Sequence, residues 1–550
     1  MRRRIIALRV LLLCALLAAT AVAASKVLRA RARYDLVVLN GRIIDGTGAA
    51  AFSADVGIRD GLVIKVGHIP RDAADRVLDA AGLVVAPGFI DIHTHAERIY
   101  RAPDADNFVH MGVTTVVTGN CGSSAVNVSR FFDAVEGGRP AVNVGTLIGH
   151  GSVRSKVMGQ ADRPPTEAEL RSMEEIVARG MDDGALGLSS GLIYTPGAYA
   201  GADELVSLAR VSASRGGVYA THIRDEGPGV FDAIGEAIRV GEQAHVPVEI
   251  SHFKITSKNL WDKSDETLRL VSEARERGLA VTVDQYAYTA SSTSLDVLLP
   301  DWVRAGGREE AKSKLADGPV RERVVGEMAE QLRREGFDDY SFAVVAGYDR
   351  DPSLNGKSVA ELARATRGGG LREQIELILE LYANGGAGMI YHKMSEDDVR
   401  QIMRVPFTMI ASDSGIQKLD EEGVPHPRGY GNNARVLGHY VRELRLLTLE
   451  EAVRKMTSLP AQSFGLKGRG LIREGFAADL VIFDDESVSD PATFERPRQY
   501  AEGIRYVLVN GTEVIDDGRQ TAARPGAIIR RNEPGRWHLF HGELARLLSR

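Results

Sequence analysis

Between Phe89 and Ser412 the chain alternates short, continuous apolar runs with segments whose apolar residues recur every three to four positions. The short runs are Phe89-Ile90-Asp91 and residues 114–117, 142–145, 184–188, 217–221, 246–250, 281–284 and 408–412. Runs with little polar alternation predict strands buried on both faces, as in a parallel sheet. Residues 167–181, 202–215, 229–243 and 267–277 carry the three-to-four spacing of amphipathic helices. Eight strand–helix units predict a closed parallel barrel, which places its chemistry at the C-terminal ends of the strands. From about residue 295 to 388 a charged, helical stretch interrupts the alternation, ending near Gly368-Gly369-Gly370 and Gly385-Gly386. It reads either as a lid over the barrel mouth or as a peripheral decoration.

A different pattern marks the two ends. Residues 34–46 read as strand, Asn40-Gly41 turn, strand, and residues 504–516 repeat the design around Asn510-Gly511. Asn-Gly supplies the positive φ angles of a tight hairpin. With a further strand over 478–483, the ends predict one small β-sandwich domain assembled from residues 34–87 and 468–530. The barrel then occupies 88–467. The expected fold is α/β: a (β/α)8 TIM barrel with a small β-sandwich domain formed by both termini.

Composition adds limits. The 550 residues are 44% hydrophobic and 26% charged, with a formal net charge of -6, so a large core is available and no basic excess points to nucleic acid. Arg2-Arg3-Arg4, an apolar stretch over 10–22 and Ala21-Val22-Ala23-Ala24-Ser25 have the parts of a secretory signal peptide. Residues 1–24 are therefore expected to direct export, to the periplasm or outside. An uncleaved signal would be the one route to a membrane. Of the two cysteines, Cys14 lies in that leader and Cys121 in the body. Once the leader is removed no intrachain disulfide can form, and a lone thiol in an oxidising compartment needs a reason to persist.

The chemistry sits at the expected strand ends. His93 and His95 are two apart and would point to one side of a strand. Cys121, His150, His222, His252 and Asp413 follow the later strands, a concentration drawn from only 13 histidines in the whole chain. Imidazole, thiolate and carboxylate together suit zinc, and coordination would shield Cys121 from oxidation. Asp413 in Ser412-Asp413-Ser414-Gly415 also reads as a turn or helix cap.

His-x-His after Pro87-Gly88-Phe89-Ile90-Asp91, later single histidines and an aspartate after a late strand resemble the amidohydrolase superfamily. Gly119-Asn120-Cys121-Gly122, Gly191-Leu192-Ile193-Tyr194-Thr195-Pro196-Gly197, Ser251-His252-Phe253-Lys254, Tyr286-Ala287-Tyr288-Thr289-Ala290-Ser291 and His426-Pro427-Arg428 are similar to the N-acyl-D-amino-acid deacylases. The resemblance implies one tightly held Zn2+ on Cys121, His222 and His252, a second, weaker site lined by His93 and His95, and Asp413 as the catalytic carboxylate. It also implies that Lys254, Tyr194, Tyr286, Ser292 and Arg428 bind the substrate, a small N-acyl amino acid. Lys254 lies two residues past His252 and would share its face if the strand continued. The implied reaction is hydrolysis of an N-acyl-D-amino acid to a D-amino acid and a carboxylate. Two rivals stand beside it: a cyclic-amide or dipeptide hydrolase of the hydantoinase kind, and a non-catalytic binding homologue.

Overall fold

The computed structural model describes residues 34–531. The leader-like residues 1–24, Cys14 among them, lie outside the described residues.

Eight parallel strands form the barrel: β1 (Phe89–Asp91), β2 (Val113–Thr118), β3 (Asn143–Thr146), β4 (Gly187–Gly191), β5 (Val218–His222), β6 (Val248–Ile250), β7 (Val281–Gln285) and β8 (Thr408–Ile410). β1 pairs with β2 and β2 with β3; β3 is extended by Ile148–Gly149, which pairs with β4. From β4 to β8 each strand pairs with the next, in registers such as Ser190↔Thr221, Ile250↔Val283 and Gln285↔Ile410. Just beyond the strands, Asp413 N donates to His93 O at 2.9 Å, and Ser414–Gly415 pairs with Thr94–His95. This contact joins the last strand to the first. Neighbouring strand residues bury in different clusters, Ile90, Val117, Ala220 and Met409 in one, Phe89, Val116, Tyr219 and Ile410 in another. Burial on both faces is what their continuous apolar runs require.

The predicted helices form at Glu167–Asp182, Ala202–Ser214, Val230–Ala244 and Ser264–Glu276. The first is started by a capping box in which Thr166 and Glu169 satisfy each other's backbone N–H. Among the described residues no helix is long and apolar enough to cross a membrane.

Segments from both ends of the described residues meet in one nine-stranded sheet. Its main path runs through residues 519–520, 512–516, 504–509, 480–483, 84–87, 34–43, 52–59 and 62–67, while 74–79 adds to 34–43. The Asn510-Gly511 hairpin forms as expected between Ile504–Val509 and Thr512–Asp516. Asn40-Gly41 does not form one. Tyr34–Ile43 is a single strand with a register shift between Val38 and Gly41, and Asn40 sits at φ 60°. A bulge uses the same left-handed residue as a turn. Here it switches partners: residues 34–39 pair with 74–79, and Arg42 and Ile43 with Val84 and Val85.

The excursion after β7 is more than helical. Ser291–Ser294, Gly388–Tyr391 and Ala343–Gly347 make a three-stranded antiparallel sheet. Helices Gly318–Arg334, Val359–Arg367 and Leu371–Ala383 accompany that sheet. Leu295, Val303, Met328, Leu332, Val359 and Ile378 belong to a core of its own. Four- and five-residue strands rich in Ser and Gly carry too little alternation to be read from sequence.

Candidate metal centre

Three residues of the centre leave their strands in the left-handed region: Cys121 (φ 51°), His252 (φ 38°) and Asp413 (φ 51°). Each such residue costs about 1–3 kcal/mol and persists only where the surroundings impose it. The surroundings here are tight. A Cβ on Gly191 would lie 2.1 Å from Cys121 O, so that position must be glycine for the Cys121 loop to pack on β4.

The Cys121 sulfur lies 3.3 Å from His93 Nε2, 3.6 Å from His252 Nε2 and 3.8 Å from His222 Nδ1. Burial pushes the thiol up, but positive His93 and hydrogen bonds from all three imidazoles pull it well below its ordinary value. A buried thiolate among imidazoles is a metal ligand set. A sulfur and a nitrogen sharing a tetrahedral zinc, with Zn–S about 2.3 Å and Zn–N about 2.0–2.1 Å, sit about 3.6 Å apart. The ligand atoms of Cys121, His222 and His252 lie within 4.8 Å of one another, as do those of His93, His95 and Cys121, and those of His93, His252 and Asp413. The donor chemistry and the spacing both fit zinc.

Two of the imidazoles, His93 and His252, are held from behind by carboxylates. His93 Nδ1 donates to Asp284 Oδ2 at 2.8 Å, while Asp284 Oδ1 accepts from His252 N at 3.0 Å. His252 Nδ1 lies 2.9 Å from Glu226 Oε1, and His222 Nε2 lies 3.7 Å from the same oxygen. Burial lowers the His222 pKa, which keeps that ring neutral and able to ligate. Burial pushes the Glu226 carboxyl up, yet Lys254 and the two histidines hold it below the carboxylate range. Neither Asp284 nor Glu226 was singled out from sequence.

Asp413 sits between the centre and Arg428. Its Oδ1 is 3.2 Å from His95 Nε2 and 3.5 Å from His93 Nε2, and its Oδ2 is 2.8 Å from Arg428 Nη1. Burial opposes ionisation, but Arg428 first and His93 next keep the carboxyl well below its usual range.

The remaining substrate-binding candidates are partly redrawn. β6 ends at Ile250, so Lys254 does not reach the centre by strand alternation. It folds back instead, with Nζ 2.5 Å from Glu226 Oε1 and 3.0 Å from His252 O. Tyr194 packs edge-on to His222 at 5.0 Å between centroids, with its hydroxyl 3.0 Å from Thr293 Oγ1. Tyr286 points its hydroxyl at Met394 Sδ, 3.5 Å away, and offers its ring to Arg428 and Lys254. Ser292 faces the cavity but gives its hydrogen to Met389 O at 2.8 Å. His150 is tied to Glu204 at 2.8 Å in a buried cluster with Arg154 and is no part of the ligand set.

A thiolate, imidazoles from several strands and a carboxylate at the C-terminal mouth of a (β/α)8 barrel define a metal-dependent hydrolase class. The amidohydrolase family profile matches residues 76–515. D-aminoacylase of Alcaligenes xylosoxydans xylosoxydans is 36% identical over 522 residues, covering 90% of this chain and 98% of the relative. A D-aminoacylase structure concerned with its binuclear metal centre superposes with a TM-score of 0.77 at 36% identity, over 90% of this chain and all of the other. N-acyl-D-glutamate deacylase of Bordetella bronchiseptica, solved with zinc and a phosphonate mimic of the tetrahedral intermediate, gives 0.76 at 35% over the same shares. The chain belongs to the amidohydrolase family and, within it, to the N-acyl-D-amino-acid deacylases.

Proposed function

We infer that the protein hydrolyses the linear amide of N-acyl-D-amino acids, releasing a D-amino acid and a carboxylate. The observation that carries this is the Cys121 sulfur 3.3–3.8 Å from three imidazole nitrogens, with Asp413 beside them. Membership of the deacylases favours linear amides over the cyclic amides of the hydantoinase rival.

Cys121, His222 and His252 would hold one ion tightly, and His93 and His95, with Asp413, would line a weaker neighbouring position. A zinc ion there supplies Lewis acidity toward an amide carbonyl and acidifies water. Asp413, ionised and hydrogen-bonded to His95, takes the proton of the attacking water and passes it to the leaving amine nitrogen. Arg428 has donors to spare after pairing with Asp413 and receives the substrate carboxylate, with Lys254 as a further positive charge. Drawing Arg428 toward that carboxylate loosens its hold on Asp413, which makes Asp413 a stronger base when substrate is bound. The Tyr194 hydroxyl, kept protonated chiefly by burial, is placed to donate to the developing oxyanion. The leader-like residues 1–24 support export as part of this reading.

A panel of N-acetyl-D- and L-amino acids assayed with zinc-loaded protein tests it. Turnover is expected for D-substrates, with Asp413→Asn retaining zinc and losing on the order of 10²–10⁴-fold in kcat. Turnover of L-substrates alone, or near-normal rates in Asp413→Asn, would overturn the assignment.

A further inference from the structure

The centre opens into a cavity of about 1720 Å³, well beyond the roughly 300–1,000 Å³ of ordinary small-molecule sites. One wall is the helix Gly318–Arg334, whose Arg323, Gly326, Glu327, Glu330, Gln331 and Arg334 all line the cavity. Steps of three and four place these residues on one face, so the helix lies lengthwise along the cavity. At about 1.5 Å per residue they span about 16 Å, the reach of roughly four to five residues of extended chain.

The lining is mixed, with Ile193, Val297, Leu298, Leu299, Met328 and Leu332 supplying apolar surface beside polar groups, and several of its charges are paired. Ser123, Ser124, Ser152, Ser155 and Gln160 contribute hydroxyls and an amide. Arg323 is 2.7 Å from Glu327, Arg304 pairs with Asp301, and Lys393 pairs with Glu335. Such a wall offers hydrogen bonds to successive backbone amides and apolar contacts to the side chains between them, which a peptidyl chain can use together.

Gly326 adds an independent observation. It stands in the middle of the helix, where glycine is the poorest former after proline. A Cβ built there would meet nothing within 4 Å, so packing does not demand a glycine. Its effect is to leave the cavity wide along its helical wall. A smaller pocket of about 300 Å³, lined by Ser292, Asp413, His426 and Arg428, shares Asp413 and Ser292 with the large cavity. An amide placed at Asp413 therefore has room for one residue on the Arg428 side and for a long chain on the other.

We propose that the acyl part of the substrate is a peptidyl chain of about three to four residues, so that the protein releases a D-amino acid from the C-terminus of a short peptide. This rests on the deacylase reading. Water adds across the last amide: its hydroxyl goes to the acyl carbon, giving the shortened peptide's carboxylate, and its proton goes to the departing amine.

The test is kcat/KM of the zinc-loaded protein on acetyl-(L-Ala)n-D-amino acids with n from 0 to 5. A rise of at least tenfold from n = 0 to n = 3 is expected, with a plateau beyond four. Gly326→Trp should cut that gain below threefold and leave n = 0 within twofold of wild type. A flat or falling series with n = 0 turned over, an N-decanoyl substrate preferred to n = 3, or a Gly326→Trp loss equal at every length would overturn the proposal while leaving the deacylase reading intact. No turnover at any length would overturn both.

Discussion

One oxygen of Glu226 serves three partners, the Lys254 ammonium, the outer nitrogen of His252 and, more distantly, that of His222. Carboxylates behind metal-bound imidazoles fix ring orientation and raise ligand basicity, and losing them typically costs 10–100-fold in metal affinity. Glu226→Gln should weaken zinc binding by that factor in competition with a chromophoric chelator, with activity largely restored at saturating zinc. Unchanged affinity would remove Glu226 from this role. Glu226 and Asp284 were illegible in sequence for a plain reason. They are two of 74 acidic residues, and their partners lie up to 191 positions away. Histidines and a lone cysteine at strand ends stand out by rarity. Lys254 was legible as a residue and not as a geometry, because a left-handed His252 ends the alternation that would have carried it.

The eight strands and the four helices were legible because each face is dictated by burial. The bulge at Asn40 and the sheet within the insertion were not, since one needs a partner's register and the other lacks a pattern. β8 shows how an element is held in place. Lys455, on the helix Leu449–Met456, donates to Val405 O and, at 3.2 Å, to Thr408 O. Burial lowers its pKa from 10.5 to about 8. Between pH 8 and 10.5 the unfolded chain binds the proton that the folded chain has shed, so folding stability contributed through Lys455 rises with pH across that window. Relative to Lys455→Met, wild type should gain stability from pH 8 to pH 10, bounded by about 3 kcal/mol, in denaturant titrations at each pH. A difference that shrinks as pH rises would contradict this assignment.

At the scale of the molecule, the centre gathers side chains that follow β1, β2, β5, β6 and β8. An ion bound there ties distant parts of the barrel together and stabilises the folded state by mass action, by about 2.7 kcal/mol when free metal is 100 times its Kd. Chelation should lower Tm by several degrees in calorimetry while far-UV circular dichroism at 25 °C stays the same. Loss of the dichroism signal on chelation would mean that the apolar clusters do not sustain the barrel unaided.

Inside the sheet, the strand Val84–Pro87 has Arg42–Ile43 on one side and finds its antiparallel neighbour on the other only in Leu480–Phe483. A ribosome must therefore add nearly four hundred further residues before the opening segment acquires its mate. Throughout that interval its unpaired backbone is a template for foreign strands. A nascent chain halted before residue 480 has no native way to cover it, so premature termination should yield aggregates rather than a smaller working barrel.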